Sequence, residues 1–409
     1  FNYRDLGKEP KDGGFTYEDA YLYAAGKGPK PQGKPYFPGY KYDAGVSTYR
    51  GDTIGEGGRV YSDPGMYGNV DDEDVASMHP HSTTNEELFG PNYTPIYEDL
   101  VNARVFIKHK EFDKAEKLFG GKLKKYLTDD KTAKGLAGAL KIAINSVYGL
   151  TSARFENPFR DPRNKDNIVA KRGALFMTDL KFAVQDQGYT VVHIKTDSIK
   201  IADATPEIVE FVRRFGEAYG YTFETEEVFD RICLVNDAVY IAKTKDGKWT
   251  ATGTQFAVPY VFKTLFSHEP IEFENLCETK SVCSSLYLDL NENLPEGEHN
   301  YQFIGKVGLF CPIKPGFGGG ELLREKDGKY YAATGTKGFR WLESETVKQL
   351  HKEDGIDLSY YDALVKDAVS SLIAYGDFDW FVSDEPYISP PFSGGKIMPA
   401  PIQTEEKPF

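Results

Sequence analysis

The segment 189–203, YTVVHIKTDSIKIAD, places β-branched residues on both sides of KTDS, which is the pattern of two strands joined by a tight turn. One carboxylate, Asp197, stands in that turn. A hairpin tip keeps it solvated, whereas the middle of a buried strand would not. A helical pattern follows at about 206–219, and then a second hairpin, VYIAKTKDGKWTATG, turning at Asp246-Gly247. Hairpins with helices behind them make an α+β layer, and this is the fold class expected.

Residues 1–60 are rich in Gly, Pro, Tyr and Lys and carry little periodicity, which predicts extended, irregular chain. Helical periodicity appears around 92–127 and again at 132–149. In the second stretch Leu136, Leu140, Ala143 and Val147 form an apolar stripe, with Asp130 or Thr132 as its cap. A different stripe carries Lys134, Gly138, Lys141, Asn145 and Tyr148. In the first stretch Arg104 and Lys108 are four apart and share a face. A helix near 168–187 leads into the opening hairpin. Beyond 260, residues 262–282 read as helical, a hairpin turns at Asp327-Gly328, helices lie near 343–353 and 358–375, and a proline-rich tail ends the chain. There is no internal repeat. Cys233, Cys277, Cys283 and Cys311 lack CxxC spacing and read as reduced core thiols.

At 409 residues the chain has room for two or three domains. No stretch approaches the ~18 uninterrupted apolar residues of a membrane span, so a soluble protein is expected. The chain opens at Phe1 without Met, which reads as an excised or processed piece with sequence missing upstream. The net charge of −13 argues on average against a nucleic-acid partner. That average hides an asymmetry: basic residues outnumber acidic ones between Arg104 and Lys141, while 71–74 is DDED. The combination suggests an anionic substrate held against bound cations.

Three constellations carry chemistry. In VDDEDVASMHPHS (70–82), a short strand ending at Asp74 and stopped by Pro80 would bring Asp74 beside Asp197. Two carboxylates at close range share a proton or hold divalent cations, and Mg²⁺ suits a site completed by substrate phosphates. Taken alone, DDED reads first as a solvated acidic turn. Arg104, Lys108 and Lys141 are spaced to clamp a polyphosphate, with Asn145 and Tyr148 beyond them for a sugar and base; the alternative is a solvated helix face. Gly57-Gly58, in IGEGGRVYSDPGMYGNV (54–70), permits close backbone approach to a ligand or forms a plain turn.

Together these segments resemble one family. KIAINSVYG (141–149) resembles the K-x3-N-S-x-Y-G signature of family B DNA polymerases, DVASMHP (74–80) is similar to their D-x-x-S-L-Y-P, and IKTDS (194–198) to their G-D-T-D-S. EGGRVYSDPGMYGNV (56–70) resembles the template-contacting Y-x-G-G segment with the P-G-x-Y that precedes the first catalytic aspartate. The resemblance covers roughly 50–265, in the family's order, and the composition is most similar to phage-encoded members.

The resemblance implies a right-hand polymerase with an antiparallel-sheet palm, helical fingers and a mixed α/β thumb region. The expected boundaries are 1–82 for the N-terminal segment and first part of the palm, 83–150 for fingers, 151–260 for palm and 261–409 for the thumb and C-terminal region. It implies that Asp74 and Asp197 are catalytic and hold two Mg²⁺ ions, with Mn²⁺ as a substitute and the Val75 carbonyl as a further ligand. Arg104, Lys108 and Lys141 are expected on the triphosphate, and Asn145, Tyr148, Ser77, Met78 and His79 beside the incoming dNTP. Gly57, Gly58, Tyr240 and Thr196 are expected against primer–template DNA. The implied activity is template-directed extension of a nucleic-acid primer in the cytoplasm, that of the host cell for a phage enzyme, away from any membrane. The stretch before Asp74 is shorter than the family's proofreading nuclease. A separate exonuclease or an upstream domain of the same polypeptide is therefore an expected partner.

The chain also departs from the family pattern. Lys195 stands where the family has the first Asp of D-T-D-S, and would offset the repulsion of the two carboxylates. His79 replaces the Tyr beneath the deoxyribose, and Asp237-Ala238-Val239-Tyr240 keeps only the Tyr of K-K-x-Y. Two other readings compete. A metal-dependent hydrolase built on His79 and His81 would need the regular strand-helix alternation of a barrel, which is absent. A non-catalytic, nucleic-acid-binding relic of a polymerase would be favoured by loss of Asp74 or Asp197, and both are present.

Overall fold

The computed structural model describes residues 6–55, 57–160 and 167–389; the proline-rich tail from 390 onward lies outside them. The chain divides into two compact units. The first runs to Asp237 and resumes at Tyr387, and the second runs from Ala238 to Pro386. Helices and antiparallel sheets share both, so the fold class is α+β.

In the first unit five strands lie in the order Phe223–Asn236, Gly65–Val75, Ser198–Ala202, Thr190–Lys195 and Val60–Ser62, each antiparallel to its neighbour. The period of two sorts side chains by face. Ile194, Ile199, Ile201 and Val75 join one core with the helices Ile168–Asp186 and Pro206–Ala218. Asp72 and Asp74 alternate onto the opposite face.

The helix Ile168–Asp186 is buried almost all round, so its charged residues need internal partners. Arg172 pairs with Glu86 at 2.7 Å and donates to the Tyr219 carbonyl at 3.0 Å. Asp179, 1% exposed, accepts from the hydroxyls of Tyr49 (2.7 Å) and Tyr219 (3.0 Å) and pairs with Arg50 at 3.2 Å. Tyr49 and Arg50 come from the stretch expected to be irregular. That stretch contains the helix Tyr17–Ala24 and a three-stranded meander, Lys41–Asp43, Val46–Tyr49 and Asp52–Ile54. Its strands are too short to show periodicity, and Gly45 (φ 88°) and Gly51 (φ 86°) supply the tight turns between them.

Helix Gly90–Lys108 packs on helix Asp130–Thr151 in a small cluster of its own. The first ends well before 127, with Lys110 at φ 60° breaking it. The cap of the second is Asp129, whose carboxylate accepts from the Thr132 N–H at 2.9 Å, one residue before the expected position. Its buried stripe is Ala133, Leu140 and Ile144, while Ala143 is exposed.

In the second unit the hairpin Val239–Thr244/Trp249–Thr252 turns at Gly247 (φ 91°), as expected. A five-stranded sheet follows in the order Lys329–Ala332, Glu321–Lys326, Glu278–Asp289, Tyr301–Ile313 and Arg340–Glu343, packed around Trp341. The expected helix over 262–282 persists only to Ser267, where left-handed His268 (φ 53°) breaks it; a single helical turn recurs at Phe273–Leu276, and a strand from Glu278 buries Leu286 and Leu288 on alternate positions. Helices Ser344–Gln349 and Leu358–Tyr375 match the expectation. Cys233 and Cys311 are buried, Cys277 is half-buried and Cys283 is exposed, so only part of the set are core thiols. Among the described residues no helix is long and apolar enough to cross a membrane.

Burial pushes the Asp179 carboxyl up to about 6, against the hydrogen bonds of Tyr49 and Tyr219 and the charge of Arg50. An acid raised above its unfolded value binds more protons folded than unfolded, so its contribution falls as pH rises through that window. Relative to Asp179→Asn, wild-type stability should drop by on the order of 2 kcal/mol between pH ~4 and ~6. Urea denaturation of both proteins across that range checks it, a parallel pH dependence being the contrary outcome.

Candidate active site

The tip of the first hairpin is fixed by backbone bonds from three sides. Thr196 takes a left-handed conformation (φ 59°), and the Asp197 N–H donates to the Lys195 carbonyl at 2.8 Å. The Val75 N–H donates to the Asp197 carbonyl at 2.8 Å, and the Thr196 N–H to the Arg59 carbonyl at 2.8 Å. Gly58, at φ 116°, lies against the same turn: a Cβ there would sit 3.0 Å from Thr196 Cγ2, whereas one on Gly57 would meet nothing within 4 Å. The close approach that Gly58 permits is thus to the chain's own tip.

Strand register then sets Lys195, Ser198, Asp74 and Glu224 in one row across four strands, with Asp197 at the end of its hairpin beside Asp74. One step back, Asp72 lies opposite Lys200 and bonds it at 2.6 Å, both buried. The Asp74 carboxyl is pushed up to about 7, first by burial, then by the charges of Asp197, Glu226 and Asp72, with Lys108 opposing. Asp197 is raised as well, chiefly by burial. Lys195 is exposed, and Lys108 rather than Lys195 is the cation that offsets the crowding at Asp74. Pro80 does not stop the strand: Ser77, at φ 54°, turns the chain, and Pro80 lies in the first turn of helix Met78–Asn85.

The two packed helices supply the opposite wall. Arg104 donates to Ser77 Oγ at 2.9 Å, and Lys108 pairs with Glu224 at 2.7 Å. His109 Nε2 reaches the other Glu224 oxygen at 2.5 Å. Lys141 and Asn145 are exposed on the second helix, and Tyr148 stacks on His79 with centroids 5.0 Å apart and planes 6° from parallel. Burial holds the His79 imidazole below its usual range, partly opposed by the Asp197 charge. A cleft of ≈ 270 Å³ is lined by Asp74, Val75, Ser77, Met78, His79, Arg104, Lys108, Lys141, Asn145, Tyr148 and Asp197, together with Glu224. A second, basic cleft of ≈ 540 Å³ continues along Arg104, Lys108 and Lys141 to Lys134.

Thr196, Gly57 and Gly58 stand at the tip, while Tyr240 belongs to the second unit, half-buried opposite Thr252. His81 turns back on its own helix to the Ser77 carbonyl (3.0 Å) and forms no pair with His79. Among the described residues no group of three or more His, Cys, Asp or Glu is placed to hold a metal ion. The donor set is therefore Asp74 and Asp197. Among the described residues neither is salt-bridged to a cation, and their raised affinities for protons mark negative charge that a divalent cation would relieve. Sequence reading missed Glu224, Glu226 and Lys200. Only the acidic run in FETEEVFD (223–230) hinted at the first two, and their position depends on pairing with a distant strand.

No family model matches the chain, and no curated protein matches it. Among solved structures, the family B DNA polymerase from the hyperthermophilic archaeon Pyrobaculum calidifontis is similar at 12% identity and a TM-score of 0.44. The match covers 91% of this chain and 50% of that one, so the chain spans about half the polymerase's length. A score of 0.44 is too low to fix a fold, and the functional reading rests on the residues of the cleft.

Gly58→Ala adds a methyl at 3.0 Å from Thr196 in a backbone region that side chains avoid, and should cost about 1–3 kcal/mol. Gly57→Ala should cost less than ~0.5 kcal/mol. Equal denaturation midpoints for the two variants would show that the tip does not depend on this contact.

Proposed function

We propose that the chain is a template-directed DNA polymerase of the family B kind, extending the 3′-hydroxyl of a nucleic-acid primer with dNTPs. The observation that carries this reading is the cleft itself. Five segments far apart in sequence, those of Asp74–His79, Arg104–Lys108, Lys141–Tyr148, Asp197 and Glu224, line one cavity in which Asp74 and Asp197, neither salt-bridged among the described residues, face Arg104, Lys108 and Lys141. That is the charge pattern of a site for a metal-bound polyphosphate.

In this reading 1–82 holds the N-terminal segment and the first part of the palm, 83–150 the fingers, 151–260 the rest of the palm and 261–409 the thumb and C-terminal region. Asp74, Asp197 and the Val75 carbonyl would hold two Mg²⁺ ions, or Mn²⁺ in their place. Such ions would supply Lewis-acid activation of the primer hydroxyl and charge neutralisation at the pyrophosphate. The chain's own groups bind and orient. Arg104, Lys108 and Lys141 meet the triphosphate with charge-assisted hydrogen bonds. The His79–Tyr148 stack forms a flat floor beneath sugar and base, Asn145 lies beside it, and Ser77 and Met78 close the edge. Thr196, Gly58 and Gly57 lie where the primer terminus and template would approach the tip, with Tyr240 as a further DNA contact. Proofreading would come from a separate exonuclease or an upstream domain, and the setting would be the cytoplasm of a phage-infected host.

Asp74→Ala and Asp197→Ala should each reduce primer extension below a few per cent of wild type, while duplex binding, which rests on phosphate contacts, changes less than about threefold. Extension on labelled primer–template with Mg²⁺ and dNTPs reads the first, and anisotropy the second. A hydrolase and a non-catalytic relic both predict no extension by wild type.

Lys141→Ala removes a charge-assisted contact worth roughly 1.5–3 kcal/mol, so the KM for dNTP should rise by about tenfold or more. An unchanged KM in steady-state extension would place the triphosphate elsewhere.

A further inference from the structure

The three cations of the cleft are not equally available. Lys141 has no side-chain partner among the described residues, Arg104 is held by the Ser77 hydroxyl, and Lys108 is held by a full negative charge, Glu224. Glu224 lies opposite Asp74 on the neighbouring strand and lines the same cleft. Two consecutive residues at the end of helix Gly90–Lys108 meet its oxygens: Lys108 donates to Oε2 at 2.7 Å, and His109 Nε2 lies 2.5 Å from Oε1. A carboxylate and a phosphate present the same chemistry to an ammonium group. Glu224 therefore occupies Lys108 in the way a polyphosphate oxygen would.

We propose that Glu224 is a positioning residue that holds Lys108 beside Asp74 until a triphosphate displaces it, so that this exchange of carboxylate for phosphate sets nucleotide affinity. The inference rests on reading the cleft as a nucleotide site. The exchange makes no covalent change: one charge-assisted hydrogen bond breaks as another forms, and Glu224 keeps His109. The exposed ion pair adds little to stability, since Lys108 and His109 remain 58% and 40% exposed in their side chains. Its consequence lies in binding.

The test uses the full chain and two probes. Inorganic tripolyphosphate binding is measured by calorimetry for wild type, Glu224→Gln, Glu224→Asp, Lys108→Ala and the double variant Glu224→Gln/Lys108→Ala. Primer extension gives KM and kcat for dNTP. Glu224→Gln should bind tripolyphosphate about tenfold more tightly than wild type, the scale of one charge-assisted hydrogen bond. Glu224→Asp should stay near wild type, and the double variant should match Lys108→Ala, because the effect passes through Lys108. KM should fall with kcat changed less than about twofold. Unaltered or weaker tripolyphosphate binding by Glu224→Gln, or the same gain in the Lys108→Ala background, overturns the proposal, as does a wild type that fails to bind tripolyphosphate. A wild type that binds tripolyphosphate but does not extend primers overturns the polymerase reading, and the Glu224 comparison still stands on its own.

Discussion

The site depends on one backbone bond, from the Val75 N–H to the Asp197 carbonyl at 2.8 Å. Ladder hydrogen bonds are indifferent to the side chains they carry, so this bond sets two carboxylates side by side whatever their charge. Left to themselves, buried like charges drift apart or one takes up a proton. Here the sheet forbids the first and Asp74 moves toward the second. The surrounding residues divide the resulting negative field: Lys200 neutralises Asp72 behind the pair, and Lys108 acts on Asp74 from the facing helix. What is left uncompensated is the charge at the mouth of the cleft, where a cation and its ligand can reach it.

The two faces of the same sheet solve the charge problem differently. On the core face Glu73, wholly buried, lies 3.7 Å from Arg213, and beyond it Arg172 pairs with Glu86, and Asp179 with its two tyrosines, inside an apolar cluster. These pairings hold the charges of the buried helix against one another beneath the strands. On the cleft face the sets are open, and the same residue types become available to a ligand.

Much of this was legible in the sequence wherever the signal was local. The KTDS hairpin, the turns at Gly247 and Gly328 and the polar stripe of Lys141, Asn145 and Tyr148 depend on neighbours within a turn or two of chain. The apolar stripe of that helix was read one residue off, through Ala143 instead of Ile144, because two adjacent apolar residues fit either face until the partner helix is known. The N-terminal meander escaped because strands of three and four residues cannot display a period. Glu224 and Glu226 escaped for another reason: their relation to Asp74 is set by long-range register, with a bulge between Thr225 and Glu227. Lys195 was assigned to the carboxylates by proximity in sequence, yet Ser198 lies between it and Asp74 in the row.

The stacked rings of His79 and Tyr148 have a mechanical consequence. One ring stands on the helix that follows the acidic strand and the other on the long helix facing it, and their planes are within 6° of parallel. Parallel rings slide across one another at little cost, because dispersion contact is largely retained under offset, whereas pulling them apart exposes two flat faces to water. At this one contact, therefore, sliding of Tyr148 across His79 costs less than separating them, while the packing of Leu140 and Ile144 on the neighbouring helix holds the rest of the long helix in place.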